Sequence, residues 1–161
     1  MKQKLVVFLL FISIGTAWGQ RKIDYVHYML DNGLNVILHQ DNTTPIVSVS
    51  VLYHVGSKNE DPERTGFAHF FEHLMFEGSP NIPRGDYFKI IESAGGELNA
   101  YTSFDKTYYY EILPSNQLEL GLYMESERMM HLKIDSVGVE THRKVVKEER
   151  KQNYENRPYG S

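Results

Sequence analysis

The alternation of apolar and polar side chains predicts short strands in the first third of the chain. In residues 46–55, valines recur at every second position, with serines between them. This period of two is typical of a strand with one buried face. Two shorter strand-like runs, residues 25–30 and 34–39, precede it. The Asn32-Gly33 pair between these runs favours the positive φ angles of a tight hairpin turn.

Helices are predicted in the middle and at the end of the chain. Residues 67–76 are dense in aromatic side chains, so we expect a buried helix there. Asp86 is placed to cap a second helix, which Gly95-Gly96 ends. The remaining predicted elements are strands at 97–103 and 107–113 and helices from Ser115 or Asn116 to about 130 and from 136 to about 154.

This order of elements predicts the fold class. Three strands, two helices, two strands and two helices favour an α+β fold, a two-layer sandwich of helices on a mainly antiparallel sheet. A length of 161 residues favours one domain. The chain stops soon after a predicted helix with no closing element, so we expect it to be the N-terminal part of a longer protein.

The first residues have the pattern of a secretory signal peptide. Lys2 and Lys4 precede an apolar run at 5–14, and Ala17 and Gly19 supply small residues at the two positions that a signal peptidase reads. Cleavage after Gly19 would leave residues 20–161 as the mature chain, exported to the periplasm or secreted. The alternative is an uncleaved anchor or a buried helix. No later stretch is long enough to span a bilayer, so we expect no stable membrane insertion after cleavage.

Charge and cysteine content narrow the candidate chemistry. The net charge is −4 and becomes more negative once the two lysines of the signal are removed. A mildly acidic chain argues against nucleic acid as the main partner. The sequence has no cysteine, so a metal ion would have to be held by His, Asp or Glu.

A metal-binding pattern lies in the first predicted helix. His69 and His73 are four residues apart, and this spacing puts both imidazoles on one face of a helix. Glu72 completes the inverted motif H-x-x-E-H of zinc metallopeptidases. In such a site the glutamate takes a proton from water beside the metal. Glu72 is therefore the candidate general base.

A third ligand is expected from the last predicted helix. A catalytic zinc takes three protein ligands and keeps a fourth position open. Glu148 and Glu149 are adjacent and point about 100° apart on a helix, so only one faces the site well. Val145 and Val146 mark the expected buried side. Glu149 follows both valines at helical spacing, but Glu148 follows Val145 at three residues and stays a contender.

Two alternatives need no catalysis. In the first, the histidines are hydrogen-bonded residues of a buried helix. In the second, the zinc is structural, which requires a fourth protein ligand. No spacing recommends any of the spare histidines, which are His27, His39, His54 and His131.

Three segments resemble the insulinase/pitrilysin family of zinc metallopeptidases (peptidase family M16), which includes the mitochondrial processing peptidases. They are residues 65–76, 95–102 and 145–149, in the family's order and spacing. The resemblance covers essentially all of residues 25–160. It implies a zinc-dependent endopeptidase that acts on peptides or unfolded proteins.

The resemblance also implies roles for individual residues. His69 and His73 would be zinc ligands, Glu72 the general base and Glu149 the third ligand. Family members usually carry a glutamate seven residues before that ligand, where it is thought to support the site. His142 stands there in this chain, and the departure puts that supporting contact in doubt.

A substrate site and a missing half follow from the same resemblance. Asn99, Ala100 and Tyr101 would form a sheet edge that pairs with an extended substrate. Family members consist of two related halves around a chamber, so a second half is expected in cis or in trans. The 161-residue chain alone would then be poorly active. The alternative functions are a non-catalytic subunit of this type and a secreted, zinc-stabilised binding module.

Overall fold

The computed structural model describes residues 22–156. These residues belong to two compact units that divide between Thr44 and Pro45. The predicted signal peptide, residues 1–19, lies outside the described residues and stays a prediction. No helix within residues 22–156 combines the length and the apolar character needed to cross a membrane.

The first unit contains an antiparallel hairpin. Strand β1 (Val26–Met29) pairs with strand β2 (Asn35–Leu38). Gly33 has a φ of 87°, which a residue without Cβ adopts readily. The side chain of Asn32 accepts a hydrogen bond from the backbone N–H of Leu34 at 3.1 Å. The hairpin predicted from the Asn-Gly pair is confirmed.

The second unit is built on a three-stranded antiparallel sheet. Its strands are β3 (Ile46–Tyr53), β4 (Glu97–Thr102) and β5 (Thr107–Pro114), in the order β3-β5-β4. Every second residue of the central strand β5 is buried. Strand β4 pairs only with β5 among the described residues, so it is an edge strand. All three strands lie where the sequence predicts them.

Among the described residues, four helices complete this unit and confirm the α+β class. The first and third contact β5, and the second contacts β4, so they form a layer on the sheet. The first is two residues shorter than predicted, and the last passes into a π-helical turn (Lys151–Glu155) where a longer helix was expected. The helices are α1 (Phe67–Leu74), α2 (Asp86–Ser93), α3 (Leu118–Met130) and α4 (Ser136–Arg150).

The predicted caps of α2 and α3 are wrong. Gly85, with φ 78°, is the N-cap of α2, and Asp86 is already its first helical residue. A 3₁₀ turn (Ser115–Gln117) precedes α3, so neither Ser115 nor Asn116 caps it. At the start of both helices, the N-cap residue makes no side-chain hydrogen bond to the helix.

The core lies where the helices meet the sheet. Tyr87 and Ile91 of α2 are fully buried. Each fully buried side chain of this size contributes about 1.5–3 kcal/mol. The buried apolar cluster consists of Ile82, Tyr87, Ile91, Leu98, Leu113 and Met124.

Candidate metal centre

Helix α1 brings the two histidines of the motif together. The Nε2 atoms of His69 and His73 lie 3.2 Å apart, and the two rings are nearly perpendicular, with centroids 4.8 Å apart. The helix is less buried than its aromatic content suggests. Phe67 and Phe71 are 52% and 50% exposed, so the helix is only partly buried, whereas the sequence predicts a buried one. Only one face of α1 packs inward.

Helix α4 brings a carboxylate to the same point. Oε2 of Glu149 lies 3.6 Å from Nε2 of His69 and 3.4 Å from Nε2 of His73. Glu148 is exposed, and its Oε2 lies 3.6 Å from Nζ of Lys151, not near the histidines. Of the two adjacent glutamates, only Glu149 joins the histidines.

The inward face of α4 differs from the sequence expectation at one position. Val145 is 41% exposed, although it was expected on the buried side. The half-buried face runs through Val139, His142, Val146 and Glu149, at spacings of three and four. Because this stripe excludes Val145, it also excludes Glu148, which lies three residues beyond it.

The spacing of the three candidate ligand atoms fits a zinc ion. Zinc binds imidazole nitrogen and carboxylate oxygen at about 2.0–2.2 Å, so tetrahedral ligand atoms lie about 3.3–3.6 Å apart. The separations of 3.2, 3.4 and 3.6 Å match that spacing. Two histidines and a glutamate are also a donor set of catalytic zinc, with a fourth position left for water. Within residues 22–156, His69, His73 and Glu149 are the one such group.

The electrostatics of His73 suit a ligand. Burial lowers the pKa of His73; the Glu149 carboxylate opposes this shift, and the neighbouring His69 adds to it. A lowered pKa favours the neutral imidazole, which is the form that binds metal. The side chain of His69 is 44% exposed and that of His73 only 19%. The centre is therefore accessible from the His69 side.

Glu72 is held close by but is not part of the ligand group. Its side chain is buried, and its Oε2 accepts a hydrogen bond from the hydroxyl of Thr102. Thr102 ends β4 and lies two residues after Ala100, on the same face of the strand. The sequence did not reveal Thr102, because periodicity along β4 does not show which side chain of α1 a strand residue meets.

A second residue missed by the sequence reasoning holds the start of α1. Gly66, the N-cap, has no side chain to offer. The carboxylate of Glu60 accepts hydrogen bonds from the N–H groups of Gly66 and Ala68, both at 2.7 Å. A negative charge at a helix N-terminus satisfies free donors and complements the helix dipole. Glu60 thus caps α1 from the preceding loop.

The predicted substrate residues lie on the edge strand β4. Asn99 and Tyr101 are exposed, and Ala100 is half-buried. The side-chain oxygen of Asn99 accepts from the N–H of Ala100 at 2.8 Å. The ammonium of Lys106 lies 5.3 Å from the ring centroid of Tyr101.

His142 lies against the candidate ligands. Its ring centroid is 5.8 Å from that of His73. Its Nε2 lies 2.9 Å from Oε1 of Glu77, a buried carboxylate just after α1. The sequence reasoning left the role of His142 in doubt and did not consider Glu77 at all. The structure brings the two together across 65 residues of sequence.

Two hollows flank the centre. A groove of about 760 Å³ between α1 and α4 reaches His69 and Glu149 and has apolar and basic walls, including Phe70 and Lys147. A smaller, apolar hollow of about 330 Å³ reaches Glu72 from the other side of α1. The candidate base and the candidate ligands are therefore both accessible.

Comparison with known proteins gives the family. The family model described as insulinase (peptidase family M16) matches residues 35–158. The zinc protease PqqE of Helicobacter pylori is 39% identical over 132 residues, 81% of this chain and 30% of that protein. Human cytochrome b-c1 complex subunit 1 is 33% identical over 125 residues, 78% of this chain and 26% of that protein. The chain thus spans about a third or less of these relatives' length.

Solved structures agree with this assignment. A protease from Helicobacter pylori superposes with a TM-score of 0.83 at 36% identity, over 87% of this chain and 34% of that one. The first half of the periplasmic protease PqqL from Escherichia coli gives a TM-score of 0.73 at 30% identity, over 80% of this chain and 29% of that one. The relatives that are named zinc proteases support a zinc-peptidase type of function. The chain belongs to the insulinase family, peptidase family M16.

Proposed function

We propose that this chain is the metal-binding portion of an exported, zinc-dependent endopeptidase that hydrolyses peptide bonds in peptides or unfolded proteins. The observation that carries the proposal is the zinc-like spacing of the ligand atoms of His69, His73 and Glu149. Glu72 lies on the same helix as two of them, with its carboxylate held in place. Family membership agrees with this chemistry.

Each candidate site residue has its own role in the proposed reaction. His69, His73 and Glu149 would hold the metal, which when bound lowers the pKa of a water and polarises the scissile carbonyl. Glu72 accepts the proton of the attacking water and delivers it to the leaving amine. The Thr102 hydroxyl fixes the Glu72 carboxylate by donating to one of its oxygens, which leaves the other free to take the proton.

Strand β4 is the proposed substrate-binding edge. An extended peptide that adds to an unpaired strand gains main-chain hydrogen bonds with little demand on its sequence. Asn99, Ala100 and Tyr101 lie on that edge strand. An extended conformation at this edge selects unfolded segments, which agrees with the proposed substrate class.

The complete enzyme is proposed to need a second half of the same family type, in cis or in trans. This chain covers 30% of PqqE from Helicobacter pylori. Export is proposed from the signal-like residues 1–19, and the similar PqqL of Escherichia coli is described as periplasmic. The isolated chain is therefore expected to be poorly active.

A non-catalytic role is the second candidate. Human cytochrome b-c1 complex subunit 1, whose name does not describe a protease, is 33% identical to this chain. A subunit without activity has no need to keep both the ligands and the base. The presence of His69, Glu72, His73 and Glu149 in one place favours the enzyme.

The test is cleavage of an unstructured peptide by the full-length protein, followed by mass spectrometry. Glu72→Gln keeps the size of the side chain but cannot accept the proton. We expect it to retain zinc and to lose about 100-fold or more in rate. If the unaltered protein holds zinc but cuts no peptide from a diverse set, the endopeptidase proposal is overturned and the non-catalytic role leads.

A further inference from the structure

Helix α4, which carries Glu149, is attached to its surroundings by few contacts. Gly138 is its only fully buried residue among those described. Four others, Val139, His142, Val146 and Glu149, are half-buried, and the rest face solvent. The position of the third candidate ligand therefore depends on a small number of interactions along one stripe.

The buried carboxylate of Glu77 is at the centre of these interactions. The Glu77 side chain is only 2% exposed. One oxygen lies 2.9 Å from Nε2 of His142, and the other accepts from Nε of Arg84 at 2.5 Å. Arg84 also donates to Asp135 at 2.5 Å, and Asp135 caps α4 by accepting from the N–H of Gly138 at 2.9 Å. Glu77 thus contacts α4 directly and, through Arg84, its N-cap.

Gly138 brings the backbone of α4 against the same carboxylate. A Cβ at position 138 would collide with the carboxyl group of Glu77. The absence of a side chain therefore lets the helix approach Glu77 closely. Glu77 lies directly against α4 at Gly138 and His142. Through Arg84 it is also connected to the cap of α4, so it is linked to the helix along the first two turns.

Glu77 is also fixed relative to the two candidate ligands on α1, His69 and His73. Its backbone N–H donates to the carbonyl of Leu74, the last residue of α1, at 3.0 Å. On α4, Glu149 follows His142 by seven residues, two turns along the same face and about 10 Å away. Glu77 is therefore a short link between the helix with both histidines and the helix with Glu149.

We propose that Glu77 is a positioning residue for the metal centre, holding α4 so that Glu149 reaches the ion bound by His69 and His73. The inference rests on the proposed zinc site. Glu77 comes from another part of the chain, and its contact with His142 places a carboxylate beside the candidate ligands. Partners behind metal ligands typically contribute 10–100-fold in metal affinity.

The substitution Glu77→Gln tests this role. A glutamine amide has one acceptor oxygen, whereas the Glu77 carboxylate has two, one facing Nε of Arg84 and one facing Nε2 of His142. If the amide oxygen stays on Arg84, the amide NH2 group faces Nε2 of His142. That contact is then either lost or moves the His142 proton to Nδ1, a buried atom with no hydrogen-bond partner among the described residues. We expect Glu77→Gln in the full-length protein to lower zinc affinity at least about tenfold, measured by chelator competition.

Glu127→Gln is the matched control. Glu127 is also a buried carboxylate, and its hydrogen bonds go to Ser79, Asn81 and His131, none of which lies on α4. The Glu127→Gln variant should therefore be less stable than the unaltered protein, with no comparable loss of zinc affinity. If Glu77→Gln and Glu127→Gln bind zinc equally well, Glu77 has only a structural role and the inference is overturned.

A double variant separates positioning from general damage. If Glu77 acts through Glu149, Glu77→Gln should add little to the zinc affinity already lost in Glu149→Gln. The visible absorption of the Co²⁺-substituted Glu77→Gln protein should also shift toward that of Glu149→Gln. Full additivity of the two losses would contradict the proposal. A lack of zinc binding in the unaltered protein would instead overturn the proposed function itself.

Discussion

Two adjacent glutamates on α4 have different surroundings, and this contrast makes a sharp test. Glu149 lies within 3.6 Å of both histidines, whereas Glu148 is 57% exposed beside Lys151. We expect Glu149→Gln to lower zinc affinity by about 100-fold or more, beyond the loss typical of an outer partner. Glu148→Gln should leave it unchanged. Equal affinities for the two variants, measured by chelator competition, would remove Glu149 from the metal site.

In the proposed mechanism the hydroxyl of Thr102 contacts Glu72 and not the metal ligands, so it allows catalysis to be tested separately from metal binding. Its hydrogen bond to the Glu72 carboxylate is a bond to a charged group, worth about 1.5–3 kcal/mol. We expect Thr102→Val to lower the peptide-cleavage rate of the full-length protein by about tenfold to a hundredfold, with zinc content unchanged. Thr102→Ser keeps the hydroxyl and should keep most of the rate. An unchanged rate in Thr102→Val would show that Glu72 needs no such support.

At the scale of elements, α1 depends on a cap supplied from outside the helix. Glu60 satisfies two of its free N–H groups. Removing a capping side chain typically costs about 0.5–2 kcal/mol, so Glu60→Ala should lower the free energy of unfolding by that amount. Glu63→Ala, at an exposed position of the same loop, is the control. Denaturant unfolding of both variants measures the difference, and equal midpoints would rule out the cap.

The elements themselves could be predicted because local pattern determines them. The valines of β3 alternate with serines, and Val49 is buried while Ser48 and Ser50 are exposed. The two histidines of α1 need only helical spacing to meet. Glu149 needed the structure or the family resemblance, because spacing alone left Glu148 open.

The residues that the sequence did not reveal act over long separations. Glu77 and His142 are 65 residues apart, and Glu72 and Thr102 are 30 apart. Periodicity within one element carries no information about which side chains of two elements will meet. Phe67 and Phe71 illustrate the same limit, because a local pattern does not reveal how many faces of a helix are covered.

At the scale of the whole molecule, the metal is expected to stabilise the fold by joining α1 to α4. A ligand that binds only the folded state adds about 2.7 kcal/mol when present at 100 times its dissociation constant. Chelation of zinc should therefore lower the melting temperature, and added zinc should restore it. Glu149→Gln should show a smaller difference in melting temperature between the zinc-bound and the zinc-free protein. Calorimetry of both proteins tests this, and an equal shift would show that the metal does not join the helices through Glu149.

The last prediction concerns a cluster of three buried, charged side chains. The side chains of Glu111, Glu125 and Arg128 are at most 3% exposed. The guanidinium of Arg128 lies 3.2 Å from Glu125, 3.7 Å from Glu111 and 4.6 Å from the ring centroid of Tyr109. One cation thus faces two carboxyl groups. Burial raises the pKa of Glu111 to about 8, the repulsion of Glu125 adds to this, and Arg128 opposes it.

The sign of the resulting pH dependence follows from this shift. The pKa of Glu111 is higher in the folded state than its ordinary value of 4.5, so folding favours the protonated form. Its contribution to stability is complete below about pH 4.5 and is lost as the pH rises through about 8. Glu111→Gln mimics the neutral carboxyl group, so the variant should lose less stability than the unaltered protein between pH 5.5 and 8.5. Urea unfolding at both pH values, in the same metal state, measures the two slopes. Because Glu111 and Glu125 interact, the slope difference measures the proton that the pair binds in the folded state. Identical slopes would mean that the pair binds no extra proton and that Arg128 alone offsets both carboxylates.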